Sequence, residues 1–409
     1  MSDMRVAVIG GGWAGLAAAV ELTAAGANTT LFEAGRVFGG RARGVEIDGR
    51  WLDNGQHILL GAYRETLALM RQVGADPEQL LARYPLQVVD SSGFRLALPK
   101  LPAPLNVAWG LFTARGVGFG EKLRTAQWMQ GIKARRFRLE ADCTVTEWLD
   151  AAGQTAQLRR HLWEPLCLAA LNTPAERASA QLFANVLRDS LGSARREDTD
   201  LLLPRCDFGR LLAEPAARWL GEHGASLRPG SRVRSLHAGF KAVTIDGEDF
   251  AAAIIATAPQ HAGRLFPALA ADLDYEPIAT VYLQCSAETR LPFPLLSLPG
   301  PCGQWVVDRG DGLLAFVLSG HGDWEALDDS ALTQQLAAEL NLGQDLGWHR
   351  VIREQRATFS CRPNLPRPPA TLGPRLFLAG DHSWAEYPAT LEGAVRSGRH
   401  AAGLALAAI

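Results

Sequence analysis

Apolar positions fall into short runs at the two ends of the chain and into helical repeats between them. Arg5–Ile9 is a brief β-branched run that stops at a glycine, the pattern of a strand buried on both faces. Residues 15–26 are rich in Ala and Leu and predict a helix. Residues 29–32 predict a second strand ending at Glu33, which completes a β–α–β unit. From 74 to 205 the pattern is largely helical, with Trp and Arg interspersed. Residues 232–236 and 250–256 predict short strands. Between 279 and 317 apolar and polar positions alternate, with several Pro and Gly, as antiparallel strands require. A helix is predicted over 330–340, a buried strand over 375–379, and an alanine-rich, glycine-interrupted helix over Leu391–Ala408. The α/β-type segments thus come at the start, around 206–262 and at the end. Two interleaved domains follow: 1–73, 206–262 and 353–409 form one, and 74–205 with 263–352 form the other.

Composition agrees with a two-domain globular chain: 409 residues, 47% hydrophobic and 21% charged. The formal net charge of −2 points to neither nucleic acid nor another polyanion as partner. Cys143, Cys167, Cys206, Cys285, Cys302 and Cys361 form no CxxC pair and no metal-ligand spacing, so reduced thiols and no metal are expected. Met4 to Ile9 runs straight into the glycine loop, so the first strand starts almost at once and no signal peptide is expected. No apolar run suits a bilayer span. The expectation is a cytoplasmic protein that is soluble or lies on the inner face of the cytoplasmic membrane.

Gly10, Gly12 and Gly15 give GxGxxG between strand and helix. The first glycine permits a tight turn, the second lets a pyrophosphate approach the backbone, and the third allows close helix–strand packing. Trp13 and Ala14 open the helix, whose free N–H groups face the phosphates. Glu33, followed by Ala34, ends the second strand, where a carboxylate can accept both ribose hydroxyls. This establishes a dinucleotide without choosing between NAD and FAD.

Three further segments favour FAD. Gly39-Gly40-Arg41 offers two glycines and a fixed cation for a diphosphate. Residues 232–236, with Val233, and the strand end at Ala256-Thr257-Ala258-Pro259 suit backbone contact with an adenine and a return to the cofactor. Gly380-Asp381, then Thr390, Leu391, Glu392 and Ala394 at a helix start, places a carboxylate for a sugar-alcohol hydroxyl and a helix N-terminus where flavin reduction builds negative charge.

Together Gly10–Gly15, Glu33, Gly39–Arg41 and 380–398 resemble the flavin amine oxidase and phytoene desaturase superfamily over the whole chain. The resemblance implies an α/β fold: a Rossmann-type FAD-binding domain interleaved with a mixed helix and antiparallel-sheet substrate domain, amine oxidase-like. In that family the residues aligned with Gly10, Gly12, Gly15, Glu33, Gly40, Arg41, Gly380 and Asp381 contact FAD. The segment from Asp53 through Gly55, Gln56 and His57 to Tyr63 resembles the one that plant-type phytoene desaturases place beside the isoalloxazine. Residues 162–174, continuing through Ala178-Ser179-Ala180, are similar to the squalene-associated branch, the hydroxysqualene dehydroxylases of hopanoid biosynthesis. That branch implies a linear triterpenoid substrate. A carotenoid desaturase, a flavin amine oxidase and a non-catalytic nucleotide-binding scaffold are the competing readings.

Loss of an allylic hydroxyl needs an acid, and His57, Tyr387, His382 and Glu386 are the candidates near the expected flavin face. Each also has a structural reading: His57 bonding backbone, Tyr387 walling the cavity. The stripe from Trp163 to Leu171 reads chiefly as helix packing, with Asn172 as a helix end. The motifs do not assign the direction of hydride transfer. No second GxGxxG follows a strand, so the electron donor stays open. Residues 101–119 are apolar, with Trp109 and Phe112, and 122–138 are basic. That combination suits either a membrane surface or a solvated basic helix.

Overall fold

The computed structural model describes residues 5–90, 92–269, 273–298, 304–342 and 347–409. Met4 and Cys302 lie outside the described residues. Six strands form the central sheet, in the order Ser226–Arg228, Asn28–Phe32, Arg5–Ile9, Ala252–Ile255, Leu376–Leu378 and Thr371–Gly373. The first five run parallel, and only Thr371–Gly373 is antiparallel. Parallel strands need both faces covered, and alternation along Arg5–Ile9 does this. Val6 and Val8 pack beneath helices Trp13–Ala24 and Leu391–Ala408. Ala7 and Ile9 pack against a small antiparallel sheet made of Leu236–Ala238, Val243–Ile245 and Glu248–Phe250. The Trp13–Ala24 and Leu391–Ala408 helices approach closely because Gly398 has no side chain: a Cβ there would lie 2.1 Å from the Ala14 carbonyl oxygen.

A second sheet is wholly antiparallel, in the order Leu295–Ser297, Trp305–Asp308, Leu313–Ser319, Tyr275–Gln284 and His349–Phe359. Along Tyr275–Gln284, Ala279, Val281 and Leu283 pack with Leu332 and Leu336 of the Asp329–Glu339 helix. Ile278, Thr280 and Tyr282 face the other way. Ile278 reaches the main cavity, Thr280 Oγ1 accepts from the Gln56 N–H (3.2 Å), and the Tyr282 hydroxyl donates to the Asp53 carbonyl (3.1 Å). This sheet therefore holds the 53–57 segment in place.

Three readings are corrected. Residues 232–235 are not a strand: Arg234 N–H, Ser235 N–H and Ser235 Oγ all donate to the Asp246 carboxylate, which replaces the ladder bonds. Residues 250–256 are two strands, because the chain crosses between sheets at Ala251, whose N–H donates to the Arg5 carbonyl. Within 74–205 the helices are joined by short strands Leu81–Tyr84, Gln87–Val89, Arg95–Ala97 and Leu201–Pro204. Three or four residues span barely two periods of alternation, too few to stand out from a helical background. The strand patterns within 279–317 and at 375–379 and the helices at 330–340 and Leu391–Ala408 appear as expected, residues 299–303 lying outside the described set.

Candidate active site

One cavity of about 990 Å³ runs between the central sheet and the second sheet. Its first end is built by the glycine loop. A Cβ on Gly15 would sit 1.8 Å from the Gly10 carbonyl oxygen, so helix and loop touch only because Gly15 has no side chain, and a Cβ on Gly10 would meet the Ala256 carbonyl at 2.7 Å. At Gly12 a Cβ would meet nothing nearer than Gly40 Cα at 3.8 Å, which leaves the backbone open to a ligand. Gly39 N–H donates to the Gly11 carbonyl (2.8 Å) and ties the second glycine turn to the first. Glu33 accepts from Gly11 N–H (2.7 Å) through Oε2 and from Gly35 N–H (2.6 Å) through Oε1. Those bonds aim the carboxylate and leave each oxygen a further lone pair.

The last segment of the chain closes the cavity opposite. Arg41 Nη2 donates to Asp381 Oδ2 (2.7 Å), and Nη1 donates to the Ala357 carbonyl (2.6 Å). Two of its donors are thus taken by the protein, and only the remaining N–H groups are left for a phosphate. Burial would push the Asp381 carboxyl up, but Arg41 and His382 outweigh it and hold the group well below the usual carboxylate range. Arg367 donates to the carbonyls of Asp381, His382 and Tyr387 (3.5, 3.4 and 3.1 Å) and pins that loop, a contact with no sequence signal. Thr390 Oγ1 accepts from Gly393 N–H (3.1 Å) and caps the C-terminal helix, whose first residues enter the cavity wall.

Gly10, Gly12, Trp13, Ala14, Glu33, Ala34, Gly39, Gly40 and Arg41 all line this cavity. So do Gly55, Gln56, His57, Val233, Thr257, Gly380, Asp381, Thr390, Leu391 and Ala394. The Thr257 hydroxyl and Gln56 Oε1 are buried there without a hydrogen-bond partner among the described residues. Buried polar atoms of this kind mark where a polar ligand belongs. The open backbone at Gly12, the aimed Glu33 and these two atoms fit a dinucleotide.

Three expected residues lie elsewhere. Gly15 sits behind the wall as a packing contact. Glu392, fully buried, accepts from Glu65 N–H (3.1 Å), Thr66 N–H (3.0 Å), Thr66 Oγ1 (2.8 Å) and Arg396 Nε (2.8 Å). It clamps the N-terminus of the Arg64–Gln72 helix instead of touching the cavity. Glu386 has a largely exposed side chain facing Arg188 at 3.9 Å, away from the cavity, because solvating a carboxylate outside is cheaper than burying it.

The remaining acid candidates differ in availability. His57 Nδ1 lies 2.6 Å from the Gly55 carbonyl, which places the ring proton on Nδ1 and leaves Nε2 as an acceptor. Burial lowers its pKa, the Gly55 carbonyl opposes this, and Arg41 adds to it, so the ring is neutral near pH 7. The Tyr387 hydroxyl donates to Asp189 Oδ2, and Arg396 covers the ring at 4.6 Å. Burial, then the bond to Asp189, pushes the phenol far up. Burial would raise the Asp189 carboxyl too, but Arg188 and Tyr387 overcome it and keep the group below its usual value. His382 is buried in the wall, its Nδ1 3.8 Å from Asp381 Oδ1. Asp189 was missed in the sequence, because nothing local distinguishes it from an ordinary helix-terminal Asp.

Beyond His57 the cavity becomes an apolar chamber walled by Leu166, Ala170, Phe183, Leu187, Ile278 and Val317. Trp163, Cys167 and Leu171 point into the core on the buried face of the same helical stretch, and Asn172 ends that helix with φ +48°. The five described cysteines are free, and burial raises the thiol pKa of Cys167 and Cys361, the latter to about 11. No group of His, Cys, Asp and Glu among the described residues is arranged to hold a metal.

The model of the family described as flavin containing amine oxidoreductase matches residues 13–406. A hydroxysqualene dehydroxylase of Rhodopseudomonas palustris is 31% identical, with 98% of each chain covered. A hydroxysqualene dehydroxylase of Zymomonas mobilis is 27% identical, again over 98% of each. Among solved structures, cyclohexylamine oxidase from Brevibacterium oxydans superposes with a TM-score of 0.72 at 17% identity over 99% of both chains, a likeness of fold.

Proposed function

The chain belongs to the flavin containing amine oxidoreductase family, and on that footing we propose that it removes the allylic hydroxyl of hydroxysqualene to give squalene. The family makes it an FAD-dependent oxidoreductase. The observation that carries the substrate reading is the run of the cavity from the dinucleotide cradle, past the 54–57 segment, into the apolar chamber. A long hydrocarbon needs such a chamber, and the Asp189 carboxylate in the wall is not free for an amine, because it is bound to Arg188 and Tyr387. Relatives bearing the dehydroxylase name at 27% and 31% identity support the same reading.

When bound and reduced, FAD supplies the hydride that takes the place of the departing hydroxyl. The chain's residues do the rest. Glu33, the Gly10–Gly12 backbone and Thr257 would hold the adenosine and diphosphate end, and Asp381 with Arg41 would hold the sugar alcohol. The N-terminus of Leu391–Ala408 supplies the positive dipole end where negative charge builds. The apolar walls would exclude water and so protect the carbon that loses the hydroxyl from capture by solvent. Tyr387, its proton committed to Asp189, offers lone pairs that accept from the substrate hydroxyl and orient it. His382 gives the proton with which the hydroxyl leaves as water. His57 and Glu386 are withdrawn as acids, the first because its proton is bound to backbone, the second because it lies outside.

Anaerobic mixing of the reduced protein with hydroxysqualene tests the reading. Flavin reoxidation should match squalene formed, while oxidised protein with phytoene should yield no product. Bleaching of oxidised flavin by phytoene would favour a desaturase, and bleaching by a primary amine an amine oxidase. His382→Gln should lower the single-turnover rate roughly 100-fold, the usual size of a general acid's contribution, with flavin content unchanged. Tyr387→Phe should act mainly on substrate binding.

A further inference from the structure

We propose that the face formed by helices Leu105–Thr113 and Phe119–Ala134 docks on an anionic lipid bilayer. Nine large hydrophobic side chains are exposed among the described residues, and six of them lie within 101–123: Leu101, Leu105, Trp109, Phe112, Phe119 and Leu123. Their spacing makes one surface. Leu105, Trp109 and Phe112 follow i, i+4, i+7 along one helix, and Phe119 and Leu123 follow i, i+4 on the next. The Trp109 and Phe112 rings lie 6.0 Å apart, and Lys122 Nζ donates to the Phe112 carbonyl (2.8 Å), joining the two helices. Asn106 and Leu111 point inward, so the exposed residues are not fraying from a core but standing on a packed helix. Phe119, the most exposed of the six at 69%, stands between two glycines.

Charge selects the occupant. Residues 101–138 carry seven Lys or Arg and one acidic residue, Glu121, in a chain that has 41 basic and 43 acidic residues overall. None of the seven comes within ion-pairing distance of a carboxylate among the described residues, whereas Arg41, Arg177 and Arg309 each face one. Glu121 is itself occupied, capping the Gly118 N–H (2.7 Å). Apolar side chains with an aromatic pair, flanked by unpaired cations, match the hydrocarbon boundary and headgroups of an acidic membrane. The nine-residue Leu105–Thr113 helix is about 14 Å long, less than half a bilayer core, so it lies on the surface. Docking also places the membrane against the chamber, because Asn106 Nδ2 donates to Thr199 Oγ1 (3.4 Å) and Thr199 lines the cavity.

Flotation of the flavin-loaded protein with vesicles tests this without any substrate, so its outcome is separate from the dehydroxylation reading. Vesicles containing phosphatidylglycerol should carry the protein, and phosphatidylcholine alone should carry much less. Trp109→Ser with Phe112→Ser should abolish flotation. Lys133→Gln, Arg135→Gln and Arg136→Gln together should weaken it on the order of 100-fold, about fivefold for each of the three charges lost. Circular dichroism and flavin absorbance certify the fold of each variant. Brominated acyl chains should quench part of the tryptophan emission of the wild type and not that of Trp109→Phe. The proposal is overturned if wild type stays unbound to acidic vesicles, or if both sets of variants float like wild type. It is equally overturned if the protein is a dimer that Phe112→Ser converts to monomers, which would give this face to a second copy of the chain.

Discussion

Replacing Glu392 removes the carboxylate that satisfies the first two free N–H groups of the Arg64–Gln72 helix. In Glu392→Ala the Glu65 and Thr66 N–H groups stay buried without acceptors, each costing about 1–3 kcal/mol. Thr66 Oγ1 also loses its acceptor, and half-buried Arg396 loses its nearest charge. Allowing for partial relaxation, the loss is about 4–5 kcal/mol, the upper end for a single substitution. Glu392→Gln keeps the shape, but its amide NH₂ would face a donor on one side, so about 2–3 kcal/mol is expected. For 409 residues the unfolding entropy is about 0.9 kcal/mol per degree if the chain melts as one unit. The alanine variant should therefore melt about 5 °C lower and the glutamine variant about 3 °C lower, measured by calorimetry with saturating FAD. Titration of FAD into the apoprotein should show affinity within a few-fold of wild type for the glutamine variant, because Glu392 does not line the cavity. A Thr66→Val partner completes a double-mutant cycle with an expected coupling near 1 kcal/mol. A melt of Glu392→Ala within a degree of wild type would refute the clamp. A large loss of FAD affinity at unchanged stability would return Glu392 to the cofactor.

Asp53, buried and 3.6 Å from Arg309, has its pKa raised to about 6, burial outweighing Arg309 and the Phe208 N–H bond. A raised carboxyl pKa means the folded state holds its proton longer than the unfolded one, so this residue's contribution to stability falls as pH rises from about 4 to 6. Asp53→Asn should gain on wild type by about 2–3 kcal/mol across that window, and a pH-independent difference in melting temperature would contradict the assignment. Gly398→Ala should cost about 1–3 kcal/mol and loosen FAD binding, because its Cβ meets the Ala14 carbonyl at 2.1 Å, while Gly403→Ala, with nothing within 4 Å, should stabilise by up to about 1 kcal/mol. Asp381→Asn should weaken FAD about 10- to 100-fold in equilibrium titration, by loss of a charge-assisted acceptor and of the Arg41 ion pair.

What local pattern encodes is whether a position faces core, solvent or a turn, and where that information is dense the sequence alone was enough. Arg5–Ile9, the glycine loop with Glu33, the alternation through Tyr275–Gln284 and the Leu391–Ala408 helix all repeat over enough residues, or concentrate enough glycine, to specify themselves. The same patterns say nothing about which distant group a side chain meets. Arg41 was read as a diphosphate ligand and Glu392 as a cofactor contact, but their partners stand 340 and 326 positions away. Tyr387 looked like a free acid, but its hydroxyl donates to Asp189, 198 positions earlier. Strands such as Leu81–Tyr84 exist only because Leu201–Pro204 pairs with them, and residues 232–235 are not a strand because the Asp246 carboxylate satisfies their N–H groups first. Hydrogen-bond partners are chosen by proximity in space after collapse, and that proximity is a property of the tertiary structure.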